Sequence, residues 1–596
     1  EAEIADRYRD AVDERVGIRV LDTKAAGFDP RAVPVMATVY LERDMHFAVA
    51  TEAEARSFVA AAPDSTFVRY DDATDAWQVT RLAGSEIRVP RQVKLTRYVA
   101  GQVPSGFDPA RFGVPKDMVE NVDRLTLMNL IATVDAFLSA GLTPEELLRW
   151  VHPARVANTQ GSGLGGMASL ARLYIDQLMD RQRQGDVLQE TLINVVTGYA
   201  VQSYVGSYGA MSNPVAACAT AAVSVEEALD KIRLGKADVV LAGGYDDLSL
   251  AGFLGFGDMN ATCDSDEMTA MGLTPRQFSR ANDVRRKGFV EGQGGGSMLV
   301  TRGDIAVAMG VPVLAVIGYA GSFGDGIQKS VPAPGIGAMA AILGGTASPL
   351  ATALSAFGLN TDDIALVYKH DTSTNANDPN ENELHDRVQT ALGRTPGNPL
   401  WVVSQKTLTG HAKGGAAAWQ VNGLVQAMAS GVVPGNKNLD SVDPQMARFG
   451  HIGFTNRALN VGVGELRAGL VTSLGFGHVS GLVLLLHAGF FLGCIDDAER
   501  DAYLARVAVR REHERRRLAE AWMGGAPLFA KRGHRRFVAA DGSDAQALEE
   551  AAMLADPSAR LLPGGVGFTS GVGFTSGSAP SASVVSNGST GTGAAS

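Results

Sequence analysis

The stretch Pro214-Val215-Ala216-Ala217-Cys218-Ala219-Thr220-Ala221-Ala222 sets one cysteine among small side chains. Beyond it, Val225, Leu229 and Ile232 share one face of an amphipathic helix over 223–234, with Glu226, Glu227 and Lys231 polar. A cysteine at a helix N-terminus meets free N–H groups and the positive end of the helix dipole, so the spacing predicts a favoured, nucleophilic thiolate. Small neighbours leave room for an incoming thioester.

Composition narrows the class. The chain has 596 residues, 45% hydrophobic and 20% charged, with a formal net charge of −11 that argues against general nucleic-acid binding. Three cysteines (Cys218, Cys263, Cys494) make no disulfide framework and lack zinc-site spacing, so no metal is expected and a reducing, cytoplasmic compartment is. No charged residue occurs between Arg467 and Asp496, long enough to span a bilayer. Its glycines, histidines and hydroxyls instead predict two buried strands, 469–473 and 481–487, joined by a glycine turn. The opening Glu1-Ala2-Glu3, without an initiator Met, suggests a piece of a longer polypeptide.

Short continuous apolar runs at 237–242, 297–301, 313–319, 364–369 and 400–404 alternate with helical patterns such as 122–140, predicting sheets covered on both faces by helices. Residues 1–94 form a flanking α+β region, with a helix over 3–14 and strands at 66–71 and 77–82 around the turn 71–75. A core follows over 95–490, with a nucleophile half to about 300 and a histidine half from about 301. Then comes an Arg-rich helical extension over 491–562. Interleaved acids make its arginines read as a solvated face. The Gly/Ser/Thr/Ala-rich tail 563–596 is expected to be disordered.

Three further clusters carry chemistry. His370-Asp371-Thr372-Ser373-Thr374 follows the run 364–369 and leads to Asn377-Asp378-Pro379-Asn380-Glu381. Lys406-Thr407-Leu408-Thr409-Gly410-His411 follows the run 400–404, and Gly475-Phe476-Gly477-His478 ends the run 469–473. Strand C-terminal ends are common active-site positions in α/β sheets. Taken singly, each has a plain reading: a structural cysteine, a satisfied histidine, a surface turn.

In order and together, these segments resemble the β-ketoacyl synthases, condensing enzymes of the thiolase-like superfamily. Ala217-Cys218-Ala219-Thr220 is similar to the family's nucleophile segment, and 279–294 to a second one. His370, Asp378 and Glu381 fall on its His-Gly-Thr-x-Thr motif with later acids. Lys406, Gly410 and His411 fall on Lys-x-x-x-Gly-His, and Gly475-Phe476-Gly477 on the closing turn. With Gly101-Gln102-Val103-Pro104-Ser105-Gly106 and the helix 122–140, the resemblance covers roughly 95–490. It points to the synthase domain of fungal and actinobacterial type I fatty acid synthases. Three residues depart from the family pattern: Asp371 stands for a usual Gly, His478 for a frequent third Gly and Leu474 for a frequent Phe. They bear on acyl-chain preference, not reaction type.

The resemblance implies a five-layer αβαβα fold of two similar halves and decarboxylative condensation of malonyl-carrier protein with an acyl chain on Cys218. It implies that His370 and His411 present N–H groups to the enolate oxygen. Lys406 would set the local field, and the backbone N–H groups of Cys218 and Phe476 would hold the tetrahedral oxyanion. Phe476, between Gly475 and Gly477, would gate the acyl pocket. Asp378, Glu381, Thr372 and Thr374 would support the site through hydrogen bonds. No cofactor is bound directly, because the phosphopantetheine arm of an acyl carrier protein delivers substrate. Partners would be that carrier, other synthase domains and a second copy of the chain, at least a dimer. The alternatives are a polyketide-type ketosynthase, a thiolase (for which Cys494 lies badly) and a non-catalytic scaffold segment. Gly161-Ser162-Gly163-Leu164-Gly165-Gly166 also satisfies Gly-x-Gly-x-x-Gly, but no acid follows a second strand at the distance a nicotinamide site needs.

Overall fold

Ten strands and six helices position the site. In chain order the strands are β1 (Val156–Asn158), β2 (Gly161–Ser162), β3 (Val239–Asp246), β4 (Gly294–Thr301), β5 (Ala315–Gly324), β6 (Ile364–Tyr368), β7 (Leu400–Val403), β8 (Ile452–Gly453), β9 (Ala468–Gly475) and β10 (Val479–His487). The helices are α1 (Arg124–Ser139), α2 (Thr220–Arg233), α3 (Gly303–Met309), α4 (Asn377–Ala391), α5 (Ala416–Ser430) and α6 (Asp497–Trp522). The computed structural model describes residues 2–182, 185–327, 334–530, 554–562, 565–569 and 582–584.

β3, β9 and β10, of eight or nine mostly apolar residues, are buried with no alternation along their length. A strand hydrophobic on both faces must be covered on both. The first sheet has the order β4-β3-β1, with β2 also on β3. β4 is antiparallel to β3, while β1 and β2 are parallel to it. The second has the order β5-β10-β9-β6-β7-β8, with β10 antiparallel to both of its neighbours and the other pairs parallel. Three cores separate the layers. Leu130, Val134 and Phe137 of α1 pack against Val239 and Leu241. Ala221, Ala222 and Val225 of α2 meet Val421 and Leu424 of α5 between the sheets. Leu384 and Val388 of α4 cover Ile364 and Leu470. This is the expected αβαβα stack.

The expected boundary at 94 differs from the observed one. The chain divides into Asp22–Tyr98 and a larger unit of Glu1–Leu21 with Val99–Ser596. Gly17–Val20 pairs antiparallel with Val99–Gln102, and this ties the first segment to the larger unit. Four-residue strands so far apart leave no sequence period to detect. Within Asp22–Tyr98, Val33–Tyr40 pairs with Glu86–Val93, and Ala76–Arg81 lies between Met45–Val49 and Thr66–Asp71.

Residues 468–487 form β9 and β10, and no single described helix is long and apolar enough to cross a membrane. The reading of α6 as a solvated face holds for the exposed Arg515 and Arg516 but not for three other arginines. Arg506 donates to the Val307 carbonyl at 2.9 Å, Arg510 to Met309 at 3.2 Å and Arg517 to Leu142 at 2.6 Å. These carbonyls sit at or just past the C-terminal ends of α3 and α1, where guanidinium charge is favoured. Within 563–596, the backbone forms strands at Gly565–Thr569 and Ala582–Val584, paired in one sheet with Ala559–Leu562, where composition predicts disorder. The remainder of that tail, and residues 531–553 of the extension, lie outside the described residues.

Candidate active site

Cys218 lies in a tight turn, Ala217–Ala219, that runs directly into α2. Ala217 holds φ at +45°, a left-handed conformation that costs energy for any residue with a Cβ. The Thr220 hydroxyl stabilises the turn, accepting from the Ala216 N–H at 3.0 Å and donating to the Ala217 carbonyl at 2.8 Å. The end of β9 presses on it from the other half. Ser473 Oγ donates to the Cys218 carbonyl at 2.7 Å, and a Cβ on Gly475 would come 2.3 Å from the Ala216 oxygen. Glycine is required there by close approach, since that distance is below any real contact.

Both histidines converge on the sulfur. His411 Nε2 is 3.1 Å from Cys218 Sγ. The two imidazole rings are perpendicular, with centroids 5.0 Å apart. One nitrogen of each ring and Sγ lie within 4.8 Å of one another, all buried. His370 follows β6 and is held by its backbone, with its N–H and that of Asp371 donating to the two oxygens of Glu381 at 2.5 and 2.8 Å. Nδ1 of His370 faces two donors, Lys406 Nζ at 2.9 Å and the Leu474 N–H at 3.2 Å. A nitrogen that accepts twice carries no proton. Nε2 of His370 is therefore the N–H, and it points away from the lysine.

Burial governs the electrostatics. It lowers both histidines well below their ordinary range, and the Lys406 charge adds to the effect, so both are neutral at pH 7. Burial also lowers Lys406 to about 8. It pushes the Cys218 thiol up to about 11, although Lys406, Lys413 and a hydrogen bond from the Phe476 N–H pull the other way. This corrects the expected resting thiolate. The helix end does favour the anion, but desolvation outweighs it, and the sulfur rests as a thiol.

Asp371, the residue in place of glycine, holds φ at +33°. It is anchored by Lys369 Nζ at 2.6 Å, with both side chains fully buried, and it accepts from Ser404 at 2.5 Å and Asn282 at 3.0 Å. Asp378 accepts from the Asn282 N–H at 2.9 Å, and burial beside Asp371 raises it to about 7. Thr372 and Thr374 bond each other at 3.0 Å, and Thr374 Oγ1 accepts from the Asn377 N–H at the start of α4. These threonines shape the turn and are not seen to touch sulfur or imidazole. Phe476 is half-buried and packs on Phe256 at 6.0 Å. Gly477 has φ at +84°, and His478 has φ at +63°.

A second buried charge cluster lacked a sequence-based role. Lys413 Nζ binds Glu291 at 3.2 Å and the Gly292 carbonyl at 3.1 Å. Asp246 accepts from the Gly414 N–H at 2.6 Å, from Ser162 Oγ at 2.8 Å and from the N–H groups of Gly163 and Leu164. The Gly-x-Gly-x-x-Gly turn thus spends its donors on a carboxylate of its own chain. The Gly243-Gly244-Tyr245-Asp246 ending of β3 was the available signal for this acid.

Two family patterns match the chain. "Beta-ketoacyl synthase, N-terminal domain" covers residues 64–306, and "Beta-ketoacyl synthase, C-terminal domain" covers residues 314–440. The chain belongs to the β-ketoacyl synthase family. It is 36% identical over 527 residues to "Fatty acid synthase 2" of Mycosarcoma maydis, covering 88% of this chain and 14% of that protein. It is 37% identical over 565 residues to "Fatty acid synthase alpha subunit stcJ" of Emericella nidulans, covering 94% and 35%. The synthase thus spans about a third or less of these relatives' length. In fold it is similar to the ketosynthase FabY from P. aeruginosa, with a TM-score of 0.78 at 20% identity, covering 90% of this chain and 83% of that one. The family's members are condensing enzymes of the acyltransferase type in fatty acid synthesis.

Proposed function

We propose that this synthase extends acyl chains by decarboxylative condensation, with Cys218 as the nucleophile and malonyl-carrier protein as the two-carbon donor. The observation that carries the reading is the convergence of one sulfur and two neutral imidazoles with an ammonium on the far nitrogen of one ring.

In the first step the acyl group leaves the carrier's phosphopantetheine sulfur for Cys218 Sγ. One C–S bond forms, another breaks, and the thiol proton passes to the departing carrier sulfur. His411 is too weak a base to hold that proton, because burial and Lys406 disfavour imidazolium. Its Nε2–H and the Phe476 N–H act as donors to the sulfur as it becomes negative. In the second step malonyl-carrier protein loses carbon dioxide, and the electron pair of the broken C–C bond becomes an enolate. His370 Nε2–H and His411 Nε2–H hold the enolate oxygen. The enolate carbon attacks the acyl-cysteine carbonyl, and the backbone N–H groups of Cys218 and Phe476 hold the resulting oxyanion. Collapse expels the Cys218 sulfur as a thiolate, which takes up one proton from solvent, the proton that the decarboxylation consumes overall. Lys406, Glu381 and Asp378 are positioning residues, and Phe476 gates the acyl pocket.

The reading includes an acyl carrier protein and other fatty acid synthase domains as partners, a homo-oligomer and a cytoplasmic location. It includes no cofactor beyond the carrier's arm. The test is Cys218→Ala assayed with acyl- and malonyl-carrier protein. Loss of condensation with an unchanged fold supports the assignment, and full condensation by the variant overturns it.

A further inference from the structure

The two histidines are held in different ways. His370 has Lys406 and the Leu474 N–H on its Nδ1. Nδ1 of His411 has no hydrogen-bond partner among the described residues, and Nε2 faces the sulfur itself. The His411 ring is therefore aimed by its backbone. Its N–H donates to the Val290 carbonyl at 2.8 Å, and its carbonyl accepts from the Gly292 N–H at 3.0 Å. The ring stands edge-on to Phe289, with centroids 5.2 Å apart. These contacts fix one side of the turn.

Asp246, at the end of β3 in the nucleophile half, fixes the other. Its Oδ1 accepts from Ser162 Oγ at 2.8 Å and the Leu164 N–H at 2.9 Å. Its Oδ2 accepts from the Gly163 N–H at 3.2 Å and the Gly414 N–H at 2.6 Å. Only a carboxylate accepts at all four places. Oδ2 thus joins two turns that belong to different halves. Gly163 backs on the nucleophile turn, where a Cβ would come 2.9 Å from the Ala217 oxygen. Gly414 follows His411 closely, and a Cβ on it would come 2.6 Å from the Gly163 nitrogen. Lys413, just before Gly414, holds φ at +48°, a conformation that persists only where the surroundings impose it. Its ammonium is clamped by Glu291 and the Gly292 carbonyl.

We propose that Asp246 is a positioning residue, and that its Oδ2 bridge sets the His411 ring against Cys218 Sγ. Given the proposed roles of Cys218 and His411, on which this rests, the bridge is what fixes their separation. Lys413 and Glu291 keep the His411 turn in its strained shape, and Asp246 ties that shape to the nucleophile's half.

The test is the rate at which iodoacetamide alkylates Cys218 at a fixed alkaline pH, read by peptide mapping, in Asp246→Ala and Asp246→Asn. Both variants lose the same charge. They differ in the bridge, because the amide oxygen of Asn still accepts from the Gly163 and Gly414 N–H groups while its NH2 turns to Ser162. The other charged and titratable groups that face the sulfur, Lys406, Lys413, His370 and His411, are the same in both. Alkylation is expected to be about 10-fold slower in Asp246→Ala than in Asp246→Asn, the effect of one lost hydrogen bond to an anion. The difference should vanish when His411→Ala is added to each, because changes that act through one group do not add. Equal rates in the two variants overturn the proposal. So does a difference that persists without His411, since that marks a general loosening of the fold. If Asp246→Ala does not fold, Gly414→Ala is compared with the parent protein, since its Cβ would come 2.8 Å from Asp246 Oδ2 and it changes no charge. The same slowing, dependent on His411, supports the proposal, and an unchanged rate overturns it. Alkylation needs no carrier protein, so failure here is told apart from failure of the chain to condense malonyl groups.

Discussion

Lys406 Nζ lies 2.9 Å from Nδ1 of His370, so an ammonium joins the Leu474 N–H in keeping the ring proton on Nε2. Removing the ammonium leaves the Leu474 N–H alone to hold that tautomer and takes a positive charge from beside the two imidazoles. Lys406→Met is expected to lower condensation by about 10²–10³-fold, the range for losing one oriented donor to an oxyanion. Acylation of Cys218, followed by intact mass, should suffer much less. Lys406 titrates at about 8, so condensation by the parent protein should fall as pH rises through that value. Lys406→Met should lack that descending limb.

Cys218 rests as a thiol with its pKa near 11. Its alkylation by iodoacetamide should keep rising between pH 8 and 11, as the thiolate fraction grows. Peptide mapping distinguishes it from the exposed Cys494. A rate already level below pH 8 would show a resting thiolate.

Gly475→Ala forces a Cβ against the Ala216 carbonyl at 2.3 Å, with backbone on both sides. Overpacking of this kind costs about 1–3 kcal/mol. The strain falls on the cysteine turn, so acylation of Cys218 should drop together with the thermal midpoint.

The buried Lys369–Asp371 pair predicts strong non-additivity. Lys369→Met leaves an unpaired buried carboxylate and should cost about 3–5 kcal/mol in denaturant unfolding. Adding Asp371→Gly removes that charge and relieves the φ of +33°. The double variant should recover much of the loss, though Ser404 and Asn282 lose their acceptor.

His385 is buried with its Nε2 3.2 Å from Thr472 Oγ1, and burial lowers its pKa to about 3. The folded group stays neutral while the unfolded one takes up a proton below about 6.5. Stability therefore falls as pH drops from about 6.5 towards 3, by up to about 1.4 kcal/mol per pH unit from this group. His385→Gln should flatten that part of a denaturation-against-pH curve.

The reacting groups were legible because each follows a strand end or a helix start with its own local pattern. Cys218 stands before an amphipathic helix, His370 and Lys406 follow apolar runs, and Gly475–Gly477 closes one. The thiol's protonation was not legible, because the residues that bury it come from far along the chain: Ser473, Phe476 and His411. Lys413 stood in a quoted motif without a role because its partner Glu291 is 122 residues away. Lys369 and Asp371 are two apart at a strand end, a spacing that places side chains on one face, so that pairing had a readable signal. In α6 the charges were visible, but the carbonyls that bind three of its arginines belong to α3 and to the turn after α1.

Those three arginines have a practical result for anyone trimming the polypeptide. A version ending after β10 would retain every reacting atom, yet it would strip the guanidinium clasp from two helices that buttress the nucleophile's sheet. The smallest self-sufficient piece of this enzyme is thus fixed by a remote fastening and not by its chemistry.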